Sequence, residues 1–190
     1  MTGNTWFTSD LHLRHEFVAK TRGFDTTFNH DLEIMRNWKR SIRPGDTVWV
    51  LGDLCMSKTH VDYALSILKD LPGAKHLVAG NHDPVSPIHV GAHKHLATYL
   101  NVFESVQAYA KIKVEGQKVL LSHYPYDDDH TDQARYTQFR LPDEGNWLIH
   151  GHTHKKDQFV HGKQIHVGLD AHGLVPVQLG EIAGIIREAL

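Results

Sequence analysis

Five short segments rich in aspartate, asparagine and histidine each follow a run of apolar residues. They are Asp10–His12, Gly52–Asp53, Gly80–Asp83, Ser122–His123 and Gly151–His154. Carboxylate, amide and imidazole groups are common protein ligands of divalent metals. Two such cations, held about 3.5–4 Å apart, can clamp the oxygens of an in-line displacement at phosphorus. The set therefore points to a two-metal site.

The elements that position these segments are expected to be strands of an α/β fold. The apolar runs before them are Thr5–Thr8, Thr47–Leu51, His76–Ala79, Val119–Leu121 and Trp147–Ile149. In open α/β sheets, ligands bind beyond the carboxyl ends of the strands. The five segments are therefore expected to meet at one point.

The segments differ in how selective they are. Because the chain contains 17 histidines, a lone Asp-x-His is expected about once by chance and is a weak signal. The Gly-Asn-His-Asp at 80–83 and the Gly-His-Thr-His at 151–154 are much rarer combinations. His123 alone could be an ordinary buried histidine, and Gly52-Asp53 a common turn, so their assignment depends on their place in the series.

Helical patterns separate the early strand-like runs, as βαβ units require. Residues 31–42 and 60–71 place apolar side chains at helical spacing, and residues 180–190 predict a closing helix. Late in the chain, two hairpins are expected, around Glu115–Gln117 and around His161–Gly162. Helices early and hairpins late predict a mixed sandwich with helices on its outer faces.

Composition argues against several kinds of partner. The chain has 20 lysines and arginines against 22 acidic residues, which gives no strong signature for nucleic acid or an anionic membrane. It contains no apolar stretch of transmembrane length and no signal-peptide pattern. Cys55 is the lone cysteine, expected to be a buried small hydrophobe, and a cytoplasmic location is expected. With no repeat or linker, residues 1–190 are expected to form one domain.

The ordered motifs resemble those of the calcineurin-like metallophosphoesterase family, in particular its short single-domain bacterial and phage-type members. The resemblance extends from Ser9–His12 through Gly151–His154, and Val167–Asp170 with Pro176 is similar to the family's closing segment. It implies an α/β fold, a four-layer α/β/β/α sandwich of mixed sheets, and hydrolysis of phosphate esters at a dinuclear centre.

The resemblance also implies a ligand set for two divalent metal ions, with Asp53 as the shared carboxylate. The first metal would be bound by Asp10, His12, Asp53 and His154, and the second by Asp53, Asn81, His123 and His152. Mn²⁺ is the favoured ion, and Fe, Zn, Ni or Co also suit these mixed ligands. A bound divalent metal can lower the pKa of water from 15.7 to about 7, so attack by metal-bound hydroxide is expected.

Several neighbouring residues are expected to take part in catalysis or substrate binding. His82 is the candidate general acid that protonates the departing oxygen, and Asp83 is expected to orient the His82 ring. Arg14, His15 and Arg22 are candidates to bind the substrate phosphate. Taken singly, each of these three could instead be an ordinary surface ion-pair residue.

The polar stretch from Tyr124 to Gly145 is expected to form an edge of the site. Arg135 and Arg140 within it are further candidates to bind a phosphate. Its Asp127–His130 run could mimic a metal site, but a run of charges usually forms a solvated loop. His150 is left outside the ligand set.

The leading functional hypothesis is hydrolysis of a small phosphodiester, such as a cyclic nucleotide or a dinucleotide. The absence of a basic stripe in the sequence argues against a nuclease. One alternative is a phosphomonoesterase or protein phosphatase, which the same metals would serve. A second is a non-catalytic metal-binding scaffold, because a fold alone does not establish activity. The presence of His82 beside a full ligand set favours an enzyme.

Overall fold

The computed structural model describes residues 3–129, 131, 133–156 and 160–190. The helices are α1 (Glu16–Thr21), α2 (Thr27–Ser41), α3 (Val61–Asp70), α4 (Leu96–Tyr99) and α5 (Leu179–Glu188). The strands are β1 (Thr5–Thr8), β2 (Thr47–Val50), β3 (Ala74–Val78), β4 (Ser105–Gln107), β5 (Tyr109–Val114), β6 (Gln117–Ser122), β7 (Trp147–His150), β8 (Val160–His161), β9 (Gln164–His166) and β10 (Val177–Gln178).

Within the described residues, these strands form two mixed sheets. The first has the order β10-β1-β2-β3-β4, in which β1 to β4 run parallel and β10 pairs antiparallel with β1. The second has the order β5-β6-β7-β9-β8, in which β6, β7 and β9 run parallel and both edge strands are antiparallel. The predicted α/β sandwich of two mixed sheets with helices is confirmed.

Two hydrophobic cores hold the helices and the two sheets together. Helices α2 and α3 pack on one face of the first sheet and contribute Trp38 and Leu68 to that core. The second core includes Phe7, Leu51 and Val78 from or next to the first sheet, and Val119, Leu121, Ile149 and Ile165 from the second. Strands β1 to β3 are therefore buried on both faces, which explains their nearly continuous apolar sequence.

The predicted helices are present, with bounds set by their caps. Helix α2 begins before the predicted 31–42 because Thr26 accepts a hydrogen bond from the Asn29 N–H at 3.2 Å. Helix α5 begins at Leu179, where the Gln178 and Glu181 side chains form a reciprocal capping box. No helix in the described ranges has the length and apolarity needed to span a bilayer.

The first predicted hairpin joins β5 to β6. Val114 pairs with Gln117, and the two residues between them, Glu115 and Gly116, have φ of 48° and 77°. This is the turn geometry that suits the twist of paired strands. The second hairpin joins β8 to β9, although Phe159 of its predicted first strand lies outside the described residues.

Candidate metal centre

The loops that follow β1, β2, β6 and β7 are joined directly by hydrogen bonds. The N–H of Asp10 donates to the Gly52 carbonyl at 3.0 Å, and the N–H of His12 donates to the Asp53 carbonyl at 3.0 Å. In the second sheet, the Gly151 N–H donates to the His123 carbonyl at 3.0 Å. The fold therefore brings the polar strand ends together, as the sequence pattern predicts.

Two glycines permit the closest approach of these loops. A Cβ at Gly151 would overlap the Ser9 hydroxyl and the Asp10 carboxylate. A Cβ at Gly80 would overlap the Asp53 carboxylate and approach the His123 ring to 2.9 Å. Both positions adjoin candidate metal ligands, so a side chain at either would displace the site.

Five of the candidate ligands have a left-handed backbone conformation. Their φ values are 58° for Asp10, 47° for His12, 56° for Asp53, 72° for His152 and 53° for His154. Aspartate and histidine tolerate this region better than most residues, yet such conformations commonly cost about 1–3 kcal/mol each and cluster at functional sites. The backbone thus points independently to these loops as the functional part of the molecule.

Asp10, His12 and His154 form one compact group of potential ligand atoms. Nε2 of His12 lies 3.2 Å from Nε2 of His154, and Oδ1 of Asp10 lies 3.9 Å from the first nitrogen and 3.8 Å from the second. This carboxylate oxygen is buried and has no hydrogen-bond partner among the described residues. A buried anionic oxygen facing two imidazole nitrogens fits a bound cation.

Asp10, Asp53 and His123 form a second group. Oδ2 of Asp53 lies 3.5 Å from Nε2 of His123 and 3.8 Å from Nε2 of His12, so it stands between the two groups. The amide oxygen of Asn81 lies 3.0 Å from Nε2 of His123. The donor types and their crowding suit two divalent cations that share the Asp53 carboxylate.

The two buried carboxylates of these groups have pKa shifts in opposite directions. Burial raises the pKa of Asp53 to about 7, opposed by His123 and reinforced by Asp83 and Asp10. Burial also favours protonation of Asp10, but His154, His123 and His12 lower its pKa below the ordinary value. Near pH 7, Asp53 therefore carries a proton part of the time, and a cation bound by this carboxylate would compete with that proton.

His152 lies in the same cleft, but its ring faces a residue that the sequence analysis placed in a solvated loop. Its Nε2 is 3.4 Å from Oδ1 of Asp129, and its ring centroid is 5.1 Å from that of His123. Asp129 is buried and accepts a hydrogen bond from Arg140 at 2.8 Å. The solvated-loop expectation is therefore wrong for Asp129, while His130 lies outside the described residues.

Asp83 acts on the main chain of the ligand loops. Its buried carboxylate accepts hydrogen bonds from the N–H groups of Gly80, Asp53 and Leu54 at 2.8, 2.9 and 3.1 Å. Both oxygens are thereby used to join the loop after β2 to the loop after β3. The structure thus gives Asp83 main-chain partners, and the expectation that it orients the His82 ring stays a prediction.

His82 lies at the edge of the centre. Its side chain is one-third exposed, with Nε2 4.0 Å from Oδ2 of Asp53, and its ring meets the His12 ring edge-on at 5.6 Å. Burial, followed by the charge of His123, lowers the pKa of His82 to about 4. The ring is therefore neutral near pH 7 when the cleft is empty.

Arg22 is occupied by protein groups. Its Nε and Nη2 donate to the two oxygens of Asp170 at 3.0 and 2.7 Å, and Nη2 also donates to the Asp10 carbonyl at 2.8 Å. The guanidinium is almost completely buried. These contacts tie Arg22 to the Asp10 loop, and substrate binding by Arg22 stays a prediction.

Asp170 contacts a candidate metal ligand, although it was not among the predicted site residues. Its Oδ2 accepts a hydrogen bond from Nδ1 of His154 at 2.9 Å, which leaves Nε2 of His154 for the first ligand group. Burial alone would raise the pKa of Asp170, but Arg22 and His154 together lower that pKa well below its ordinary value and keep the carboxylate ionised. Its sequence signals were its place in the Val167–Asp170 segment, which resembles the family's closing segment, and another Asp-x-His at 170–172, a pattern too common to select.

The other substrate-binding candidates differ in position. The Arg14 guanidinium packs over the Tyr63 ring at 4.2 Å and is not among the residues that line the cleft. His15 lines the cleft, and its Nδ1 accepts the Val18 N–H at 3.4 Å at the start of α1. Arg135 also lines the cleft.

The ligand groups open into a cleft of about 530 Å³. Its polar floor includes His12, Asp53, Asn81, His82, His152 and His154. A volume of this size accommodates a small organic phosphate rather than a phosphate ion alone.

Several known proteins are similar to this chain in sequence and in fold. A profile of the calcineurin-like phosphoesterase superfamily domain matches residues 5–183. The gene 66 protein of Mycobacterium phage L5 is 43% identical, covering 90% of this chain and 88% of the relative. The gene 66 protein of Mycobacterium phage D29 is 41% identical, covering 98% of this chain and 99% of the relative.

The crystal structure of a protein of unknown function from Aquifex aeolicus has a TM-score of 0.73 and 26% identity, with 96% of this chain and 99% of that chain covered. The superfamily profile spans both sheets and all five ligand-bearing loops. Together with the convergence of aspartate and histidine at their strand ends, this match shows that the chain belongs to the calcineurin-like phosphoesterase superfamily.

Proposed function

We propose that this protein is a metal-dependent phosphodiesterase that hydrolyses a small phosphodiester at a dinuclear centre. The observation that carries the proposal is the position of Asp53, whose Oδ2 lies 3.5 Å from Nε2 of His123 and 3.8 Å from Nε2 of His12. A carboxylate oxygen between two imidazole-containing groups is suited to bridge two cations. Mn²⁺ is the favoured ion, with Fe, Zn, Ni and Co as alternatives.

The proposed ligands divide between the two metals through Asp53. One set is Asp10, His12, Asp53 and His154, and the other is Asp53, Asn81, His123 and His152. When bound, divalent cations would polarise the phosphoryl group and lower the pKa of water toward neutrality. Asn81 supplies a neutral oxygen, which limits the negative charge that an anionic substrate must approach.

His82 is the proposed general acid. Its partly exposed ring lines the cleft beside Asp53, where it can meet a departing oxygen. Although its pKa is about 4 in the empty cleft, a bound phosphate anion would favour the protonated ring. Asp83 supports this arrangement by positioning the Asp53 and Gly80 loops.

The proposed substrate is a small phosphate ester, such as a cyclic nucleotide or dinucleotide. The near balance of 20 basic and 22 acidic residues gives no electrostatic support for a nucleic-acid polymer. A cytoplasmic location is retained as part of the proposal.

One observation favours a phosphomonoesterase as the second candidate. Arg135 and Lys156 both line the cleft, and cationic side chains there would help to bind the dianion of a monoester. A non-catalytic scaffold is the third candidate, and activity measurements separate it from both enzymes.

The test is to assay Mn²⁺-loaded protein against bis-p-nitrophenyl phosphate and p-nitrophenyl phosphate in parallel. We expect a higher kcat/KM for the diester, with activity removed by a chelator and restored by Mn²⁺. Preference for the monoester would support the phosphatase instead. No turnover of either ester by protein that holds two metals would support the scaffold.

A further inference from the structure

We infer that the cleft contains a stacking wall, formed by Phe17, Val18 and Met56, that binds the nucleobase of a nucleoside-containing phosphate ester. This inference rests on the proposed function, because it names the substrate class of the same site. None of the three residues is a candidate metal ligand, and all three line the cleft.

The stacking wall is built on the loops that carry the metal ligands. Phe17 lies on α1, five residues after His12, and Met56 lies three residues after Asp53. The two segments are joined where the Leu13 N–H donates to the Leu54 carbonyl at 2.9 Å. A substrate whose phosphate is held at the ligands would therefore have its organic part directed along these segments.

The wall exposes large apolar surface beside the polar metal ligands. Phe17 is 71% exposed and Met56 is 52% exposed. Exposed apolar side chains that line a groove commonly mark a ligand-binding surface. Methionine adapts its shape to a bound ring, and its sulfur makes favourable contacts with aromatic rings.

The wall fits a planar ring better than a lipid chain. It is short, and the surrounding lining is polar, with Thr21, Thr153 and Lys156. The Phe17 ring lies 6.5 Å from the His15 ring, so two ring systems stand side by side near the metal ligands. One aromatic face beside phosphate-binding groups is the arrangement that binds a nucleotide through both its base and its phosphate.

Calorimetry with two matched ligands tests the inference. Mn²⁺-loaded protein is titrated with adenosine 5′-monophosphate and with ribose 5-phosphate, which differ by the base. We expect the nucleotide to bind about tenfold more tightly, which corresponds to about 1.4 kcal/mol. Equal affinity for the two ligands would overturn the inference.

Two variants test whether the preference for the nucleotide arises from the stacking wall. Phe17→Ala is expected to remove most of the tenfold preference while leaving the affinity for ribose 5-phosphate unchanged, and Met56→Ala is expected to reduce it in the same direction. Phe28→Ala is the matched control, since Phe28 is 69% exposed on α2 and does not line the cleft. If the tenfold preference for the nucleotide remained in both Phe17→Ala and Met56→Ala, the stacking wall would not be the nucleobase-binding surface.

This experiment is independent of the proposed reaction. If the nucleotide binds more tightly but neither p-nitrophenyl ester is hydrolysed, the proposed function is contradicted and the nucleobase-binding role of the stacking wall is supported. If the diester is hydrolysed and the two ligands bind equally, the nucleobase-binding role of the stacking wall is contradicted and the proposed function is supported.

Discussion

Nδ1 of His154 donates a hydrogen bond to Oδ2 of Asp170 at 2.9 Å, and the same carboxylate is held by both Nε and Nη2 of Arg22. This arrangement selects the His154 tautomer that leaves Nε2 unprotonated toward a metal. Carboxylates behind histidine ligands commonly orient the ring and increase its basicity. Arg22 extends the connection to the Asp10 carbonyl, so one network positions ligands from two loops.

Asp170→Asn is predicted to weaken Mn²⁺ binding by about 10–100-fold, the usual effect of removing a carboxylate behind a metal ligand. The amide cannot form the ion pair with Arg22, and it holds His154 less firmly. The measurement is a calorimetric Mn²⁺ titration. Glu115→Gln is the control, since it removes an exposed ion pair with Arg187. Wild-type affinity in Asp170→Asn would contradict the positioning role.

Gly151→Ala is predicted to abolish high-affinity metal binding and to lower the melting temperature. The added Cβ would overlap the Ser9 and Asp10 side chains, so the β1 and β7 loops would have to separate. Gly184→Ala is the matched control, because nothing lies within 4 Å of its added Cβ. On helix α5, that change should stabilise the fold by about 0.5–1 kcal/mol. Normal metal binding by Gly151→Ala would show that the loops are not tightly apposed.

His82→Ala is predicted to retain the metals and lose rate in a manner that depends on the leaving group. General acid catalysis typically contributes about 10²–10⁴-fold, and an alkoxide needs the proton far more than p-nitrophenolate does. The measurement compares kcat/KM for methyl p-nitrophenyl phosphate and for an alkyl diester. The exposed His93→Ala serves as control. Equal losses on both esters would rule out the acid role.

Metal affinity is predicted to rise as the pH increases through about 7. The pKa of Asp53 is raised to about 7 by burial, so below that pH the proton competes with the cation for the carboxylate. His123 and His154 also have raised pKa values. Burial lowers the pKa of both rings, but at His123 the charges of Asp53 and Asp10 together with the Leu51 hydrogen bond outweigh it, and at His154 the Asp170 hydrogen bond together with the charges of Asp10 and Asp170 does. Mn²⁺ titrations at about pH 6 and pH 8, in buffers of different ionisation enthalpy, would measure the protons released. Affinity that is independent of pH would contradict the protonated, metal-free centre.

The sequence predicted the position of the candidate site because its signals are local. Each motif directly follows a strand, and strand ends converge in α/β folds. The end of α2 and the turn at Glu115–Gly116 were also close to their predicted positions. Helix α1 was not predicted because six residues are too few to show a helical pattern.

The partners of Arg22 and Asp83 could not be predicted in this way. Arg22 and Asp170 are separated by 148 positions in the chain, and no periodicity connects them. Asp83 is adjacent to His82 in sequence, yet its carboxylate binds the main chain of a loop about 30 positions earlier. These contacts arise from tertiary packing, so adjacency in the sequence does not reveal them. Asp129 is likewise buried among distant partners, since Arg140 and His152 both approach its carboxylate.

The most direct test of the dinuclear centre is the metal content of wild-type protein and of Asp53→Ala after Mn²⁺ loading and gel filtration. We predict two Mn²⁺ ions per wild-type chain and a loss of both high-affinity ions in the variant, because Asp53 lies between the two ligand groups. A wild-type chain that retains at most one ion, or an Asp53→Ala chain that retains two, would contradict the shared carboxylate.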